Sequence, residues 1–335
     1  MSNNMLHKIG ITHGDINGIG YEVIMKALYD PKILDICTPV IYGLAKVATY
    51  HKKPLELNDL IFQFIKDVEQ STTKKVNLVN LTDNEVKIEL GVSTKTSTDM
   101  SVLSIKSACN DLKNNKIEAL ITAPVCTSNL YSEAFPYHGH TEFIRHFFNV
   151  KTYLPMLLHE RVKIGLATHH LPLSQVSRTL NETMLFEKLQ ILNYSLKHDF
   201  CLTNPSIAVL ALNPNDDEGG TSCTEEREIL NPVISKAFDQ GINVFGPFAS
   251  TRFFATRQYR QFDAVLAMHH EQGTLPFQLI SEGEGVIYTA GLPIIRTAPA
   301  HGTAYDIAGK NKASGQATRN AIYYALDILR NRKGE

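Results

Sequence analysis

The chain has 335 residues, 43% of them hydrophobic and 20% charged, and this length suggests about two globular domains. Its 33 Lys and Arg residues nearly balance its 34 Asp and Glu residues, which argues against binding nucleic acid or an anionic membrane through an overall field. Five scattered cysteines without a Cys-x-x-Cys pair argue against a disulfide scaffold or a structural zinc finger. No signal peptide or run of about 18 apolar residues is visible, so the sequence predicts a cytoplasmic protein that does not enter membranes.

Short β-branched runs alternate with amphipathic patterns, which predicts an α/β fold with a largely parallel sheet. The predicted strands are residues 8–12, 40–42, 119–122, 164–168, 206–212, 264–268 and 294–297. The predicted helices are residues 21–28, 100–114, 183–196, 225–239 and 315–330. Residues 80–95 are interpreted as a connector or a small antiparallel excursion. A capping box at Ser222-Cys223-Thr224-Glu225 predicts a helix start.

A glycine-rich turn at residues 12–20, Thr-His-Gly-Asp-Ile-Asn-Gly-Ile-Gly, follows the first predicted strand and leads into the first predicted helix. Such glycines allow backbone N–H groups to approach an anion at the helix N-terminus. The spacing is not Gly-x-Gly-x-x-Gly, and no acidic residue follows about 20 residues later after a second strand, so a Rossmann dinucleotide site is disfavoured. A tight strand-to-helix turn is the alternative interpretation.

Histidines gather at the ends of the predicted strands. The doublets His169-His170 and His269-His270 each follow a predicted strand directly. Imidazoles that converge from separate strands are typical of a catalytic metal site with a position left open for substrate. Carboxylates that could complete or orient such a site are Asp216, Asp217, Glu218 and Glu271. A hydrogen-bonded core or surface role is the alternative for any single histidine.

Two further side chains stand in strand-end positions. Arg296 is a candidate clamp for a phosphate or carboxylate, because a guanidinium binds such anions through two parallel hydrogen bonds; a surface ion pair is the alternative. Cys126 has no basic neighbour and no helix start to activate its thiol, which favours a packing role.

Together these motifs resemble the 4-hydroxythreonine-4-phosphate dehydrogenase family of vitamin B6 (pyridoxal phosphate) synthesis. The matching segments run in family order over nearly the whole chain: Gly-Ile-Thr-His-Gly-Asp at 10–15 with Gly-Ile-Gly at 18–20, Thr-Ala-Pro at 122–124, Gly-His-Thr-Glu-Phe at 139–143, Thr-His-His-Leu-Pro-Leu at 168–173, Leu-Asn-Pro at 212–214 with Glu-Gly-Gly at 218–220, His-Glu-Gln-Gly at 270–273, and residues 291–297 with His-Gly-Thr-Ala at 301–304. The resemblance implies an isocitrate/isopropylmalate-dehydrogenase-like fold of two α/β domains with the active-site cleft between them. The domains implied are residues 1–127 with 297–335, and a dimer-forming second domain at 128–296.

The resemblance also implies a reaction. This is the NAD-dependent (or NADP-dependent) oxidation of 4-phosphohydroxy-L-threonine or a related 3-hydroxy acid, followed by loss of CO2, in a homodimer that binds a divalent metal (Zn, Mg, Mn or Co). The metal positions implied are His170, Asn215 and His270. The implied catalytic positions are His140, Thr141 and Gln278, which also bind substrate together with Ile287 and Arg296. The implied cofactor positions are Glu218, Gly219, Gly220, His301, Gly302 and Thr303.

Several of these positions depart from the family pattern. Asn215 stands where a metal-binding His is expected, Gln278 where a Lys is expected, and Ile287 where an Asn is expected. Further departures are Thr251 and Ala300, each in place of Asp, and Cys126-Thr127 without the expected Lys. Even changes outside the ligand set cost about 10–100-fold in metal affinity or activity, and a missing general acid or base costs about 10²–10⁴-fold.

Two hypotheses therefore stay open. The first is an NAD- and metal-dependent dehydrogenase, in which Asp216 or Asp217 replaces the missing imidazole and favours Mn or Mg over Zn. The second is a relative without catalytic activity that keeps the fold and the dimer and acts as a binding or regulatory protein.

Overall fold

The computed structural model describes residues 6–214 and 223–335. Its strands are β1 (Lys8–Thr12), β2 (Thr38–Gly43), β3 (Phe62–Ile65), β4 (Val76–Asn80), β5 (Ala119–Thr122), β6 (Leu154–His159), β7 (Val162–Leu166), β8 (Ile207–Leu210), β9 (Val244–Phe248), β10 (Ala264–Ala267), β11 (Val286–Ala290) and β12 (Ile295–Pro299). Its helices are α1 (Gly20–Leu28), α2 (Ile33–Ile36), α3 (Ala45–Lys52), α4 (Lys95–Lys113), α5 (His140–Phe147), α6 (Leu173–Thr179), α7 (Glu182–His198), α8 (Asn231–Asp239), α9 (Ser250–Ala255), α10 (His270–Ser281) and α11 (Gln316–Lys333). The predicted α/β class is confirmed. None of these described helices has the length and hydropathy that crossing a bilayer requires.

The chain divides into two compact units. The first is formed by residues up to Val150 together with Leu292–Leu329, and the second by Lys151–Gly291 together with Arg330–Glu335. The domain bounds implied by the resemblance, at 127/128 and 296/297, remain a prediction.

The first unit contains an all-parallel set of strands in the order β3-β4-β2-β1-β5-β12. Its central strands are almost entirely buried, as expected for parallel strands covered on both faces, and Ile9, Ile11 and Ile121 are fully buried. Thr12 pairs with Thr122, and Leu120 pairs with Arg296. This register aligns the carboxyl ends of β1, β5 and β12 at one edge.

The second unit contains a mixed set of strands in the order β11-β6-β7-β10-β8-β9. Its β7, β10, β8 and β9 are parallel, whereas β6 pairs antiparallel with both β7 and β11. The antiparallel excursion is therefore here and not at residues 80–95, where the described backbone after β4 is an irregular connector. The sequence pattern missed β6 and β9 because Pro155 and the Gly246-Pro247 pair interrupt them.

Several helices differ from their predicted bounds. α4 begins five residues before the predicted start, because Thr94 and Ser97 form a capping box in which each hydroxyl accepts the other's backbone N–H at 3.1 Å. The single helix predicted at 225–239 is instead a π-helical turn, Glu226–Leu230, followed by α8. Pro232 lacks the N–H that a regular α-helix would use there. Ser222 of the predicted capping box lies outside the described residues. The helices α5 and α10 were not predicted, and α10 contains the weak helix formers Gly273 and Pro276.

A buried carboxylate anchors the end of the chain within the second unit. Asp199 is 1% exposed, and its Oδ1 accepts a hydrogen bond from Arg332 Nε at 2.7 Å. Its Oδ2 accepts from Tyr288 Oη and Ser195 Oγ, each at 2.6 Å. Burial and the neighbouring Asp199 raise the pKa of Tyr288, which keeps this phenol protonated as a donor. The Asp199 carboxylate thus forms an ion pair with Arg332 and accepts hydrogen bonds from the hydroxyls of Tyr288 and Ser195.

We predict that Arg332→Ala lowers the free energy of unfolding by about 3–5 kcal/mol, because it leaves a buried carboxylate without its cation. The matched control is Arg227→Ala, which breaks an ion pair with Glu228 in which both side chains are about 60% exposed. This control should cost no more than about 1 kcal/mol. Urea denaturation measures the unfolding free energy of both variants. Equal losses of stability in the two variants would contradict the role assigned to the Arg332–Asp199 pair.

Candidate active site

A buried guanidinium organises one polar site in the first unit. Arg296, on β12, is 6% exposed. Its Nε and Nη2 donate to Thr122 Oγ1 at 3.0 and 2.6 Å, and its Nη1 donates to Thr141 Oγ1 at 3.2 Å. Thr122 ends β5 and Thr141 lies in the first turn of α5, so the register of β5 with β12 sets the first contact directly. The two hydroxyls orient the guanidinium, a group that binds phosphates and carboxylates through parallel hydrogen bonds. Burial rules out the surface ion pair considered for Arg296.

His140 lies beside this guanidinium as the first residue of α5. Its side chain is buried, and its Nε2 has no hydrogen-bond partner among the described residues. Burial, followed by the charges of Arg296 and His13, lowers the pKa of His140 to about 3. The imidazole is therefore neutral near pH 7, with one nitrogen that donates and one that accepts. A buried nitrogen without a partner is unusual in a native protein and marks a position where a ligand or water would bind.

The glycine-rich turn at residues 12–20 is packed by protein on the side of the α1 N-terminus. A side chain at Gly20 would place its Cβ 2.2 Å from the His13 carbonyl oxygen. The Ile19 N–H donates to the carbonyl oxygen of Thr303 at 3.1 Å. These contacts favour the tight-turn interpretation over an open anion site at α1. They also place the loop that carries His301, Gly302 and Thr303 directly on this turn.

Two histidines meet in the second unit because β7 and β10 are parallel neighbours. Pairing continues past both strands: Ala167 N donates to the Ala267 oxygen at 2.8 Å, and Thr168 Oγ1 donates to the Met268 oxygen at 2.8 Å. The His170 and His270 rings that follow have centroids 5.1 Å apart.

The state of these two rings suits a metal ion. The Nδ1 atom of His270 is buried and has no partner among the described residues. Burial and then the proximity of His270 lower the pKa of His170, which favours the neutral form that binds metals.

The other member of the first doublet has a different environment. His169 Nε2 is 2.8 Å from the hydroxyl of Tyr153, and the His169 ring meets His170 edge-on at 5.4 Å. Burial, followed by the neighbouring His170, Lys188 and His270, lowers the pKa of His169 to about 4. His169 thus faces Tyr153 while His170 faces His270, so the structure separates two residues that the sequence presents as equivalent.

Within residues 6–214 and 223–335, no three His, Cys, Asp or Glu side chains are grouped so that they could hold a metal ion. The pair His170 and His270 fits two ligands of a divalent ion, and the described side chains do not supply the third. The predicted positions Asn215, Asp216, Asp217, Glu218, Gly219 and Gly220 lie outside the described residues.

The residue that leads into the segment with Asn215 is held firmly. Asn213 N and Nδ2 each donate to the carboxylate of Glu226 at 2.8 Å, and Glu226 is fully buried. Sequence reasoning did not single out this role for Glu226.

Three substituted positions lie on elements of the second unit. Gln278 is exposed on α10, eight residues beyond His270, which corresponds to about 12 Å along a helix axis. Ile287 is half-buried on β11, and Thr251 is exposed on α9. Glu271, in the first turn of α10, is exposed.

Cys126 departs from the packing role favoured by its sequence. The side chain is only half-buried, and its Sγ lies 3.1 Å from Ser128 Oγ. Burial raises the pKa of the thiol, but hydrogen bonds with Ser128, Ser93 and Tyr305 outweigh that effect and bring the pKa below its usual value. Neutral hydroxyls can thus influence a thiol where the sequence shows no basic neighbour.

Comparison with known proteins identifies close relatives. A family model described as pyridoxal phosphate biosynthetic protein PdxA matches residues 35–325. A 4-hydroxythreonine-4-phosphate dehydrogenase of Bacteroides thetaiotaomicron is 41% identical over 98% of this chain and 90% of its own length. The protein of that name from a Sulfurihydrogenibium species is 35% identical over 97% of this chain and 99% of its own.

Solved structures agree with these relatives. The crystal structure of 4-hydroxythreonine-4-phosphate dehydrogenase from Klebsiella pneumoniae has a TM-score of 0.81 and 29% identity, covering 98% of this chain and 99% of its own. Isocitrate dehydrogenase from Methylococcus capsulatus has a TM-score of 0.52 at 13% identity, covering 98% of this chain and 87% of its own, and shows the shared fold alone. The predicted family and the isocitrate-dehydrogenase-like fold are confirmed.

The burial of His140 predicts a loss of stability in acid. Its pKa is about 3 in the folded chain against an ordinary value of 6.5, so between these values the unfolded chain binds more protons. Stability should then fall as the pH drops from 6.5 towards 3. His140→Gln should reduce the slope of unfolding free energy against pH, between pH 4 and 6, by about 1.4 kcal/mol per pH unit. Denaturation at several pH values measures this slope, and an unchanged slope in the variant would refute the low pKa.

Proposed function

The chain belongs to the PdxA family of pyridoxal phosphate biosynthetic proteins, and we propose that it oxidises and decarboxylates 4-phosphohydroxy-L-threonine or a related phosphorylated 3-hydroxy acid. The observation that carries this proposal is the buried Arg296, oriented by Thr122 and Thr141 beside the partnerless Nε2 of His140. A fixed buried cation next to a hydrogen-bonding imidazole suits a small anionic substrate that also carries hydroxyl groups.

Each residue of this site has a role that its chemistry allows. Arg296 would bind an anionic group of the substrate, and the Thr141 hydroxyl would orient the guanidinium and contact the substrate. His140, with a pKa near 3, is almost entirely neutral at pH 7 and keeps a single ring N–H. It would therefore hold and orient the substrate through hydrogen bonds and would not store a proton. These roles agree with those that the family resemblance implies for His140, Thr141 and Arg296.

His170 and His270 would hold the divalent ion, together with Asn215 as the resemblance implies. The NAD or NADP cofactor would lie along Glu218, Gly219, Gly220, His301, Gly302 and Thr303. When bound, the ion supplies Lewis-acid polarisation of a substrate oxygen, and the nicotinamide supplies a hydride acceptor. The neutral form of His170 favours ligation, since a protonated imidazole does not bind a metal.

The substituted positions set the expected rate. An amide at Gln278 neither takes up a proton near pH 7 nor offsets a phosphate charge, and Ile287 has no side-chain hydrogen-bonding group. Asn215 is a neutral ligand and weaker than an imidazole. We therefore propose an active enzyme with low turnover. A binding or regulatory protein is the second candidate function, because the fold and Arg296 are retained while Gln278 and Ile287 lack the expected chemistry.

We predict that the unmodified protein turns over 4-phosphohydroxy-L-threonine, with NAD and added Mn, Mg or Zn, far below the median of about 10 s⁻¹. The double variant Asn215→His with Gln278→Lys should raise kcat more than either single variant, because the imidazole and the lysine each restore a different missing group. Steady-state NADH formation measures both expectations.

The matched control is Gln278→Met, which keeps the side-chain length without adding a charge and should give no gain. Turnover of the unmodified protein at an ordinary enzyme rate would show that the substitutions are tolerated. No turnover in either the unmodified or the double variant, despite measurable substrate binding, would favour the binding protein.

We also propose that the chain forms a homodimer. The helix α10 exposes Leu275 and Leu279, 64% and 75% exposed, at a spacing of four residues that places both on one face. Leu173, at the start of α6, is 73% exposed. Large apolar side chains grouped on one exposed helix face are typical of protein–protein contacts. A second copy is the partner that the family resemblance implies.

The unmodified chain should therefore show twice its mass of 37.4 kDa in light scattering at micromolar concentration. Leu275→Glu with Leu279→Glu should shift the mass towards the monomer, because burying two carboxylates in an apolar contact is unfavourable. Ile61→Glu is the control, since Ile61 is equally exposed at 76% but lies in the first unit. A monomeric unmodified protein would refute the dimer, and a dimer that persists in the double variant would place the interface elsewhere.

A further inference from the structure

The loop that follows β12 is held by the glycine-rich turn at two points, both within the first unit. We propose that Asp15 and Tyr305 are positioning residues for the nicotinamide cofactor, which lock residues 301–305 into the shape in which this loop receives it. The inference rests on the proposed function, because it takes the loop as part of the cofactor site. Asp15 belongs to the glycine-rich turn that the sequence pointed out, but neither Asp15 nor Tyr305 was assigned a role of its own from the sequence.

The first point is a buried carboxylate with three donors. Asp15 is 1% exposed. Its Oδ1 accepts from the backbone N–H of Asn17 at 2.8 Å, and its Oδ2 accepts from Ser97 Oγ at 3.0 Å and from Tyr305 Oη at 2.8 Å. Because Ser97 and Asn17 fix the carboxylate on the turn and on α4, the bond to Tyr305 fixes the loop relative to both. Hydrogen bonds to a carboxylate are stronger than those between neutral groups.

The second point is a close backbone approach two residues earlier. The carbonyl oxygen of Thr303 accepts from Ile19 N at 3.1 Å. A Cβ at Gly18 would lie 2.8 Å from that same oxygen and 3.2 Å from the Cβ of Thr303. Only glycine allows the loop to lie this close, so Gly18 is a requirement of the contact and not merely of the turn.

Between the two points the backbone adopts an uncommon conformation. Ala304 has φ +42°, in the left-handed region that a residue with a Cβ adopts only at a cost. Such a conformation persists when the surrounding contacts determine it. Thr303 on one side and Tyr305 on the other supply those contacts, so the loop has one fixed shape and is not an adaptable segment.

The shape leaves binding groups available. Gly302 is exposed, and a Cβ placed there would meet no atom within 4 Å, so its backbone is open to a ligand. The Nε2 atom of His301 is buried and has no partner among the described residues. Burial lowers the pKa of His301, so its imidazole is a neutral hydrogen-bonding group. His301 Nδ1 lies 3.0 Å from the Gly302 carbonyl oxygen, so the group offered to a ligand is Nε2. An exposed glycine beside an imidazole with one partnerless nitrogen fits the polar groups of a dinucleotide.

The test compares Tyr305→Phe with Tyr42→Phe by isothermal titration calorimetry with NADH and NADPH. Tyr305→Phe removes only the hydroxyl, which reaches Asp15 and also contacts Ser93 and Cys126. Tyr42→Phe removes an equivalent tyrosine–aspartate bond, 2.9 Å to Asp111, in the same unit. We expect Tyr305→Phe to weaken dinucleotide binding about tenfold, the fold-change that corresponds to one hydrogen bond to a charged group, and Tyr42→Phe to leave the dissociation constant unchanged.

Two further readouts separate positioning from general stability. Amide hydrogen exchange at residues 301–305 should become faster in Tyr305→Phe, and the KM for the cofactor should rise while kcat stays near that of the unmodified protein. If the unmodified protein binds a dinucleotide and Tyr305→Phe binds it equally well, the inference is overturned while the proposed function stands. If the unmodified protein binds neither dinucleotide, the proposed function fails and the cofactor role fails with it.

Discussion

The register of three parallel strands is the constraint on which the first unit depends. Thr12 lies opposite Thr122 across β1 and β5, and Leu120 lies opposite Arg296 across β5 and β12. A slip of one residue in β12 would turn the guanidinium to the other face of the sheet. Such a slip would leave a charge buried without its hydroxyl partners, which is among the most costly changes a core can undergo. The polar site and the packing of the strands are therefore specified by the same pairing.

Local sequence patterns predicted individual strands and the candidate site residues that follow them. The strand at residues 8–12 and the strand at 119–122 match the structure because both are short runs that contain β-branched residues, which favour strands. Arg296 and the histidine doublets were predicted as site residues from their place after strands. The bond between Asp15 and Tyr305 joins residues 290 positions apart, and no spacing rule anticipates it. Long-range polar pairs of this kind depend on how helices and loops pack, which the sequence does not display.

The departures from the family pattern fall in both units. Positions 215, 251, 278 and 287 lie in the second unit and positions 126, 127 and 300 in the first, whereas Arg296, Thr141 and His140 in the first unit and His170 and His270 in the second are retained. Asn215 bears on the proposed metal ligation, and Gln278 and Ile287 bear on the proposed binding of substrate. The proposed defects therefore concern substrate affinity as well as turnover.

The backbone at His170 limits how this part of the sequence can change over time. His170 has φ +53°, a conformation that costs a residue other than glycine on the order of 1 kcal/mol or more. The chain bends at this residue, so the adjacent imidazoles of His169 and His170 leave in different directions, one towards Tyr153 and the other towards His270. A deletion or insertion of one residue between β7 and this bend would shift both histidines along the backbone while the bend stayed in place. Neither histidine would then take over the direction of the other. Descendants of this sequence can therefore vary the residues around the doublet, but not its distance from the end of β7.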